Sequence, residues 1–315
     1  MATYLVTGGA GFIGSHLAEE LVRRGERVRV VDNLSTGKRR NLAAVAGAIE
    51  FVEGDLADLD VARAAVAGID YVLHQAAIPS VPRSVADPLT SHRACVNATL
   101  NVLLAARDAG VKRLVYAGSS SVYGNQPTLP KREDMVPQPL SPYALQKLVG
   151  EQYGQMFTAL YGLETVTTRY FNVFGPRQDP SSAYSGVISI FVKCALTGQV
   201  PTIHGDGEQT RDFTYVANVV DGVLKACHAG GVAGSVMNVA TSSRVSLNQL
   251  FALLQKLVGT NLTPVHGPDR VGDVKHSLAD ISAARIRLGY EPLVDVEEGL
   301  RRTIAWFQSE AAARP

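Results

Sequence analysis

The stretch T7-G-G-A-G-F-I-G14 leaves this chain few ways to fold. It follows a short apolar run, Tyr4 to Thr7, and precedes Ser15 to Arg24, where Leu17, Ala18, Leu21 and Val22 recur at helical spacing before Gly25, a residue suited to a helix stop. Strand, glycine loop and helix in that order open a βαβ unit. Glycines at 8, 11 and 14 permit a tight turn and a close approach of the backbone to a pyrophosphate, while the helix N-terminus offers free N–H groups to the phosphate oxygens. A second run, Val28 to Val31, ends in Asp32, about 20 residues beyond the loop, where a carboxylate hydrogen-bonds an adenosine ribose and repels a 2′-phosphate. The expected dinucleotide is NAD rather than NADP. Asp55, in G-D-L after a third run, is placed either to reach the adenine or to cap the next helix.

Short β-branched runs alternate with amphipathic stretches through the first half, which predicts a parallel sheet flanked by helices. Strands are expected at Tyr4 to Thr7, Val28 to Val31, Ile49 to Glu53, Tyr71 to His74, Arg113 to Ala117 and Glu164 to Arg169. Beyond Phe174, prolines and glycines punctuate the chain, and a clear helical pattern returns only late, at Leu247 to Val258. The fold class is therefore α/β, a Rossmann-like doubly wound parallel sheet with a smaller C-terminal substrate-binding lobe. The expected division is 1–172 for the dinucleotide domain, with a returning segment from about 212–240, and 173–315 for the lobe.

Lysine plus arginine (30) nearly balances aspartate plus glutamate (29), so no overall field draws in nucleic acid or a membrane surface, and an anionic ligand must be caught locally. Cys95, Cys194 and Cys227 are odd in number and far apart, which fits reduced thiols in a reducing compartment. The N-terminus runs directly into the first strand with no room for a cleavable signal, and no long apolar run is present, so a soluble cytoplasmic protein is expected.

S-P-Y143-A-L-Q-K147 puts a phenol and an ammonium at i and i+4 of a helix start, on one face. An ammonium beside a phenol favours the phenolate, as does a nearby nicotinamide charge, so Tyr143 is expected to act as a base near neutral pH. The pair follows A117-G-S-S-S-V-Y-G124, where an apolar run ends in three serines. His74 ends a strand beside the cofactor crevice and reads as a buried, hydrogen-bonded packing residue. His266 and His276 lack the tight ligand spacing of a metal site, and no metal is expected.

These motifs resemble the extended branch of the short-chain dehydrogenase/reductase superfamily, and the resemblance covers nearly the whole chain. It implies an NAD domain joined to a sugar-nucleotide lobe, with Gly8, Gly11, Phe12, Ile13, Gly14, Asp32, Asn33, Asp55, Leu56, Ala76, Tyr143 and Lys147 around the cofactor. Counting back from V122-Y-G124, it makes Ser119 the hydroxyl that bonds the sugar oxygen being oxidised, beside Tyr143 and Lys147. In 4,6-dehydratases of this type the next two positions are Asp and Glu; here they are Ser120 and Ser121, which lack the acid strength to eliminate water. The expected chemistry stops at reversible hydride transfer. Either serine can contact substrate, and either can instead bond turn backbone.

R169-Y-F-N172-V-F-G-P-R-Q-D-P180 and G205-D-G-E-Q-T-R211 resemble segments of UDP-sugar 4-epimerases, which implies that Asn172 and Arg211 hold the diphosphate, with Arg270 completing a guanidinium clamp and Asp273 taking the nucleotide ribose. Within that group the chain resembles bacterial UDP-N-acetylglucosamine 4-epimerases. Ser277 stands where enzymes restricted to glucose and galactose carry a tyrosine, leaving room for an N-acetyl group, which Ser80 and Ser84 are expected to bond. A widened pocket still admits the smaller hexoses. The resulting expectation is an NAD-dependent 4-epimerase of N-acetylated UDP-hexoses, with UDP-glucose and UDP-galactose as further substrates and Tyr143 also touching the sugar. Two alternatives are epimerisation of UDP-glucuronate and a non-catalytic NAD-binding regulator. The resemblance also implies a homodimer through helices near Val96 to Ala109 and Tyr143 to Tyr161.

Overall fold

The structure, a computed structural model, describes residues 1–179, 186–268 and 275–312. Its centre is a seven-stranded sheet built from β1 (Thr3–Thr7), β2 (Arg27–Asp32), β3 (Ile49–Glu53), β4 (Tyr71–His74), β5 (Arg113–Ser119), β6 (Thr165–Tyr170) and a last strand, Ser235–Val239. Across the sheet the order is Ser235–Val239, β6, β5, β4, β1, β2, β3, and every pairing is parallel. The strand order reverses between β1 and β4, so their C-terminal ends open the crevice where such sheets bind ligands.

Side chains alternate across β1: Tyr4 and Val6 face one buried cluster with Leu17, Val30 and Val223, while Leu5 faces another with Val31, Val72, Leu103 and Phe157. Both faces are thus covered. The six predicted strands form with ends within two residues of the expected ones, and Leu247–Val258 is a helix with those bounds. The first helix, α1 (Phe12–Arg23), starts earlier than Ser15 because the glycine loop enters it directly, and Gly25 closes it at φ +78°.

A third cluster, including Phe174, Phe191, Phe213, Phe251 and Leu300, is the core of the smaller lobe. Its helices Val187–Thr197 and Leu247–Val258 end in left-handed glycines, Gly198 and Gly259. Between these two helices the chain returns to the sheet through the helix Val216–His228, which packs beside α1, and the strand Ser235–Val239. No helix among the described residues is long and apolar enough to cross a membrane.

Candidate active site

The glycine loop is built so that nothing larger than hydrogen fits. A Cβ on Gly14 would stand 2.3 Å from the Gly8 carbonyl, and one on Gly8, already at φ +64°, would stand 2.8 Å from Ala76 Cα. The loop therefore packs against the end of β4, and α1 begins at Gly11 with no side-chain cap, its N–H groups unclaimed by side chains. Phe12 and Ile13 form its first turn. Asp32 is buried at the end of β2; one carboxylate oxygen accepts Ala10 N at 3.0 Å and the other Leu34 N at 2.8 Å. Each oxygen keeps a second lone pair, so a ribose hydroxyl still has an acceptor there. Burial raises the Asp32 pKa while those two backbone N–H groups hold it down. Asn33 is exposed and accepts Ser35 N. Leu56 is buried, and its carbonyl accepts from Asn101. Asp55 does not cap the helix Leu59–Val66; Asp58 does, leaving Asp55 paired with Arg93 at 3.6 Å. These residues fit a dinucleotide.

Across the crevice, β5 ends at Ser119 and the helix Pro142–Tyr161 begins beside it. Ser141 caps that helix and Pro142 takes its first position, so the next turn presents Tyr143 and Lys147 together. Ser119 Oγ lies 2.8 Å from Ser121 Oγ and accepts Ser121 N, and it hydrogen-bonds Tyr143. Lys147 is buried and donates to the Ala117 carbonyl at 2.9 Å, its ammonium 5.0 Å from the centre of the Tyr116 ring. Burial, with the Cys95 thiol, pushes the Tyr143 phenol above its ordinary range, and the Ser119 hydrogen bond only partly offsets this. Burial likewise lowers Lys147. Burial thus opposes the phenolate, and the positive charges of Lys147 and of a bound nicotinamide are what would favour it.

His74 is a packing residue, 1% exposed. Thr7 Oγ1 accepts from Gln75 N and Ala76 N, so its proton points to His74 Nδ1 at 2.7 Å; Nε2–H then donates to Thr99 Oγ1 at 3.0 Å, and Thr99 to the Cys95 carbonyl. The ring stacks on Tyr116 beneath Lys147. Burial, then Lys147, lowers its pKa to about 3.

Two cavities open from this end of the sheet toward the lobe. One, of about 220 Å³, is lined by Ser120, Ser121, Lys131 and Ser277 and by Ser141 and Ala144, which flank Tyr143 along the chain. The other, of about 230 Å³, is lined by apolar residues such as Phe191 and Ile203 with His204 and Gln209. Asn172 and Arg211 border both. Asn172 is held at φ +35° while its amide donates to the Asp212 carbonyl. The arrangement suits an elongated ligand with a polar ring at one end, an apolar-faced ring at the other and an anionic middle.

Two of the expected substrate residues, Ser80 and Ser84, line neither cavity. Ser84 is 0% exposed; its hydroxyl donates to the Val81 carbonyl and accepts Tyr143 N at 3.0 Å, so it anchors the start of the helix Pro142–Tyr161. Ser80 caps the helix Val81–Ala86 by accepting Arg83 N. Arg270 and Asp273 lie outside the described residues. Among the described residues, no group of histidine, cysteine, aspartate and glutamate has metal-site geometry. Lys131 was not anticipated: in P-K-R-E-D it reads as a solvated loop lysine, and only the tertiary structure turns it inward.

The family model for the NAD dependent epimerase/dehydratase family matches residues 4–240. This chain belongs to that family. It is 39% identical to a UDP-glucose 4-epimerase of Mycolicibacterium smegmatis, over 98% of this chain and 99% of the relative. Among solved structures it is similar to a UDP-glucose 4-epimerase from Thermotoga maritima with UDP-glucose, at TM-score 0.94 and 38% identity over 98% of this chain and 99% of the other. It is equally similar to a UDP-N-acetylglucosamine 4-epimerase from Methanobrevibacter ruminantium in complex with UDP-N-acetylmuramic acid, at TM-score 0.94 and 39% identity over 98% and 99%. The protein is an enzyme, and its cofactor is NAD.

Proposed function

We propose that the enzyme is a UDP-sugar 4-epimerase that interconverts UDP-N-acetylglucosamine and UDP-N-acetylgalactosamine and also accepts UDP-glucose and UDP-galactose. The observation that carries this reading is the pair of cavities meeting at Asn172 and Arg211, with small hydroxyl residues, Ser120, Ser121 and Ser277, where the sugar would lie. Among the described residues no carboxylate lines the sugar cavity, so none of them there can protonate a leaving hydroxyl and carry the reaction on to dehydration.

NAD, when bound, accepts the C4 hydride and returns it. Gly8, Gly11 and Gly14 admit its pyrophosphate to the backbone, and Asp32 offers an acceptor to its ribose. Ser119 Oγ bonds the C4 hydroxyl and aligns it with Tyr143. Tyr143 Oη takes the hydroxyl proton, and Lys147 stabilises the phenolate and holds the nicotinamide ribose once it turns from the Ala117 carbonyl. Arg211 and Asn172, with Arg270, keep the diphosphate in place while the oxidised ring turns over in the cavity, and Asp273 holds the nucleotide ribose. Tyr143 then returns the proton on the opposite configuration at C4. Each cycle would leave the cofactor as it began, so no NAD would be consumed.

The helix Pro142–Tyr161 leaves Leu145, Met156 and Leu160 exposed along one face. We place the contact of a homodimer there, to be checked by sedimentation. The free, buried thiols of Cys95, Cys194 and Cys227 agree with a reducing cytoplasm.

The deciding experiment incubates the purified protein, without added NAD, with UDP-N-acetylglucosamine and with UDP-glucose separately, following anomeric proton signals by NMR. Formation of the N-acetylgalactosamine epimer, faster than the galactose epimer, is expected. Galactose alone would remove the acetamido reading, and no product even with NAD supplied would remove epimerase activity.

A further inference from the structure

Lys131 is 2% exposed and lines the cavity proposed for the sugar, alongside Ser277. It is fixed there through its backbone. Lys131 N donates to the Leu278 carbonyl at 2.7 Å, and its own carbonyl accepts Asp280 N and the Asn238 amide, so the chain at Lys131 runs beside the segment that carries Ser277. Asn238 in turn accepts the Tyr123 hydroxyl at 2.7 Å, tying this strip to the turn that follows Ser120 and Ser121. Lys131 therefore stands on a braced wall of the cavity.

Its ammonium carries three donors, and among the described residues its one acceptor is the Gln126 carbonyl. Among the described residues it takes part in no ion pair, and none of their carboxylates lines the cavity. A buried ammonium held by a single carbonyl is costly unless a ligand completes its shell. The remaining cavity groups are chiefly hydroxyls, which accept weakly and are as readily donors; a carbonyl-type oxygen on the sugar is the stronger partner.

Resting on the proposed UDP-sugar epimerase activity, we infer that Lys131 is a specificity-determining residue that donates a hydrogen bond to a carbonyl or carboxylate oxygen carried by the hexose. An N-acyl group supplies the first kind of oxygen and a uronate the second. Ser277 provides space, and Lys131 provides the donor.

The test compares Lys131→Met with the native enzyme and with Lys131→Gln, which retains an N–H donor, in the full-length chain with its bound NAD. kcat and KM are measured on UDP-N-acetylglucosamine, UDP-glucuronate and UDP-glucose, the last serving as the reference whose hexose lacks a carbonyl. In Lys131→Met, kcat/KM relative to UDP-glucose is expected to fall about tenfold or more on a carbonyl-bearing substrate, mostly through KM, with partial recovery in Lys131→Gln. A fall confined to UDP-N-acetylglucosamine identifies the acyl oxygen, and one confined to UDP-glucuronate the carboxylate. An equal loss on all substrates, or folding lost in both variants, would make Lys131 a structural residue and overturn the inference. If the native enzyme turns over none of the three, the epimerase reading fails first and the inference with it; if it turns them over and the ratios do not move, only the inference fails.

Discussion

Tyr143 sits in surroundings that by themselves keep it protonated, and this makes its chemistry conditional on what else is bound. Tyr143→Phe should reduce turnover by roughly 10²–10⁴-fold while NAD remains bound, measured by NMR turnover and by the nucleotide released on denaturation. Because the phenolate is the active form, activity should rise with pH through the phenol's apparent pKa. Lys147→Met removes the stabilising charge and should move that limb to higher pH. In the native enzyme activity should fall again at alkaline pH, below the ordinary lysine range, because burial lowers Lys147 and its ammonium is lost early. A kcat/KM–pH profile of both forms checks the two directions. Ser277 makes a separate demand: Ser277→Tyr refills a position only 8% exposed and should lower the preference for UDP-N-acetylglucosamine over UDP-glucose at least about tenfold in competing-substrate assays. The roles proposed for Ser119, Tyr143 and Lys147 rest on features that sequence carries, a hydroxyl at a strand end and an i, i+4 pair. The roles of Ser84 and Lys131 depend on which way a side chain turns after folding, and nothing in their spacing marks it.

The helix carrying Tyr143 is tied to the sheet by Glu151, which receives both arms of Arg169 on β6, at 2.8 and 2.6 Å. The side chains are 3% and 5% exposed, Arg169 first, and the guanidinium carbon lies 4.7 Å from the Tyr123 ring centre. Arg169→Met strands a buried carboxylate and should cost about 3–5 kcal/mol in denaturant unfolding, whereas Arg169→Met with Glu151→Gln should cost clearly less. Equal losses in the two would show that packing against Tyr123, not charge, sets the penalty. Elements with a clean pattern, such as β3 and Leu247–Val258, were legible from sequence to the residue. The strand Ser235–Val239 was not picked out as one, because S-V-M-N-V is short and its Asn238 is buried for the sake of three side-chain hydrogen bonds, to Tyr123, Lys131 and Asp280. Hydropathy reads such a residue as a loop.

At the scale of the whole molecule, buried histidines fold in neutral form. Burial lowers His74 to about 3 and His16, on α1 against the Pro176 carbonyl, to about 4, from an ordinary 6.5. Between those values the unfolded chain binds protons that the folded one does not, so stability is full above about pH 6.5 and drains away as pH falls toward 3 or 4. His74 alone contributes a slope approaching 1.4 kcal/mol per pH unit in that window, and His74→Asn should flatten the fall in melting temperature between pH 7 and pH 5. An unchanged slope would assign the acid limb to carboxylates. The order of the strands carries a different consequence. β6 finishes at Tyr170, but its outer partner begins only at Ser235, after the helices Val187–Thr197 and Val216–His228 have been made. At synthesis rates of about 5–20 residues per second the nascent sheet spends several seconds with a bare parallel edge. That interval is when a chaperone, or a second unfinished chain, has its opening.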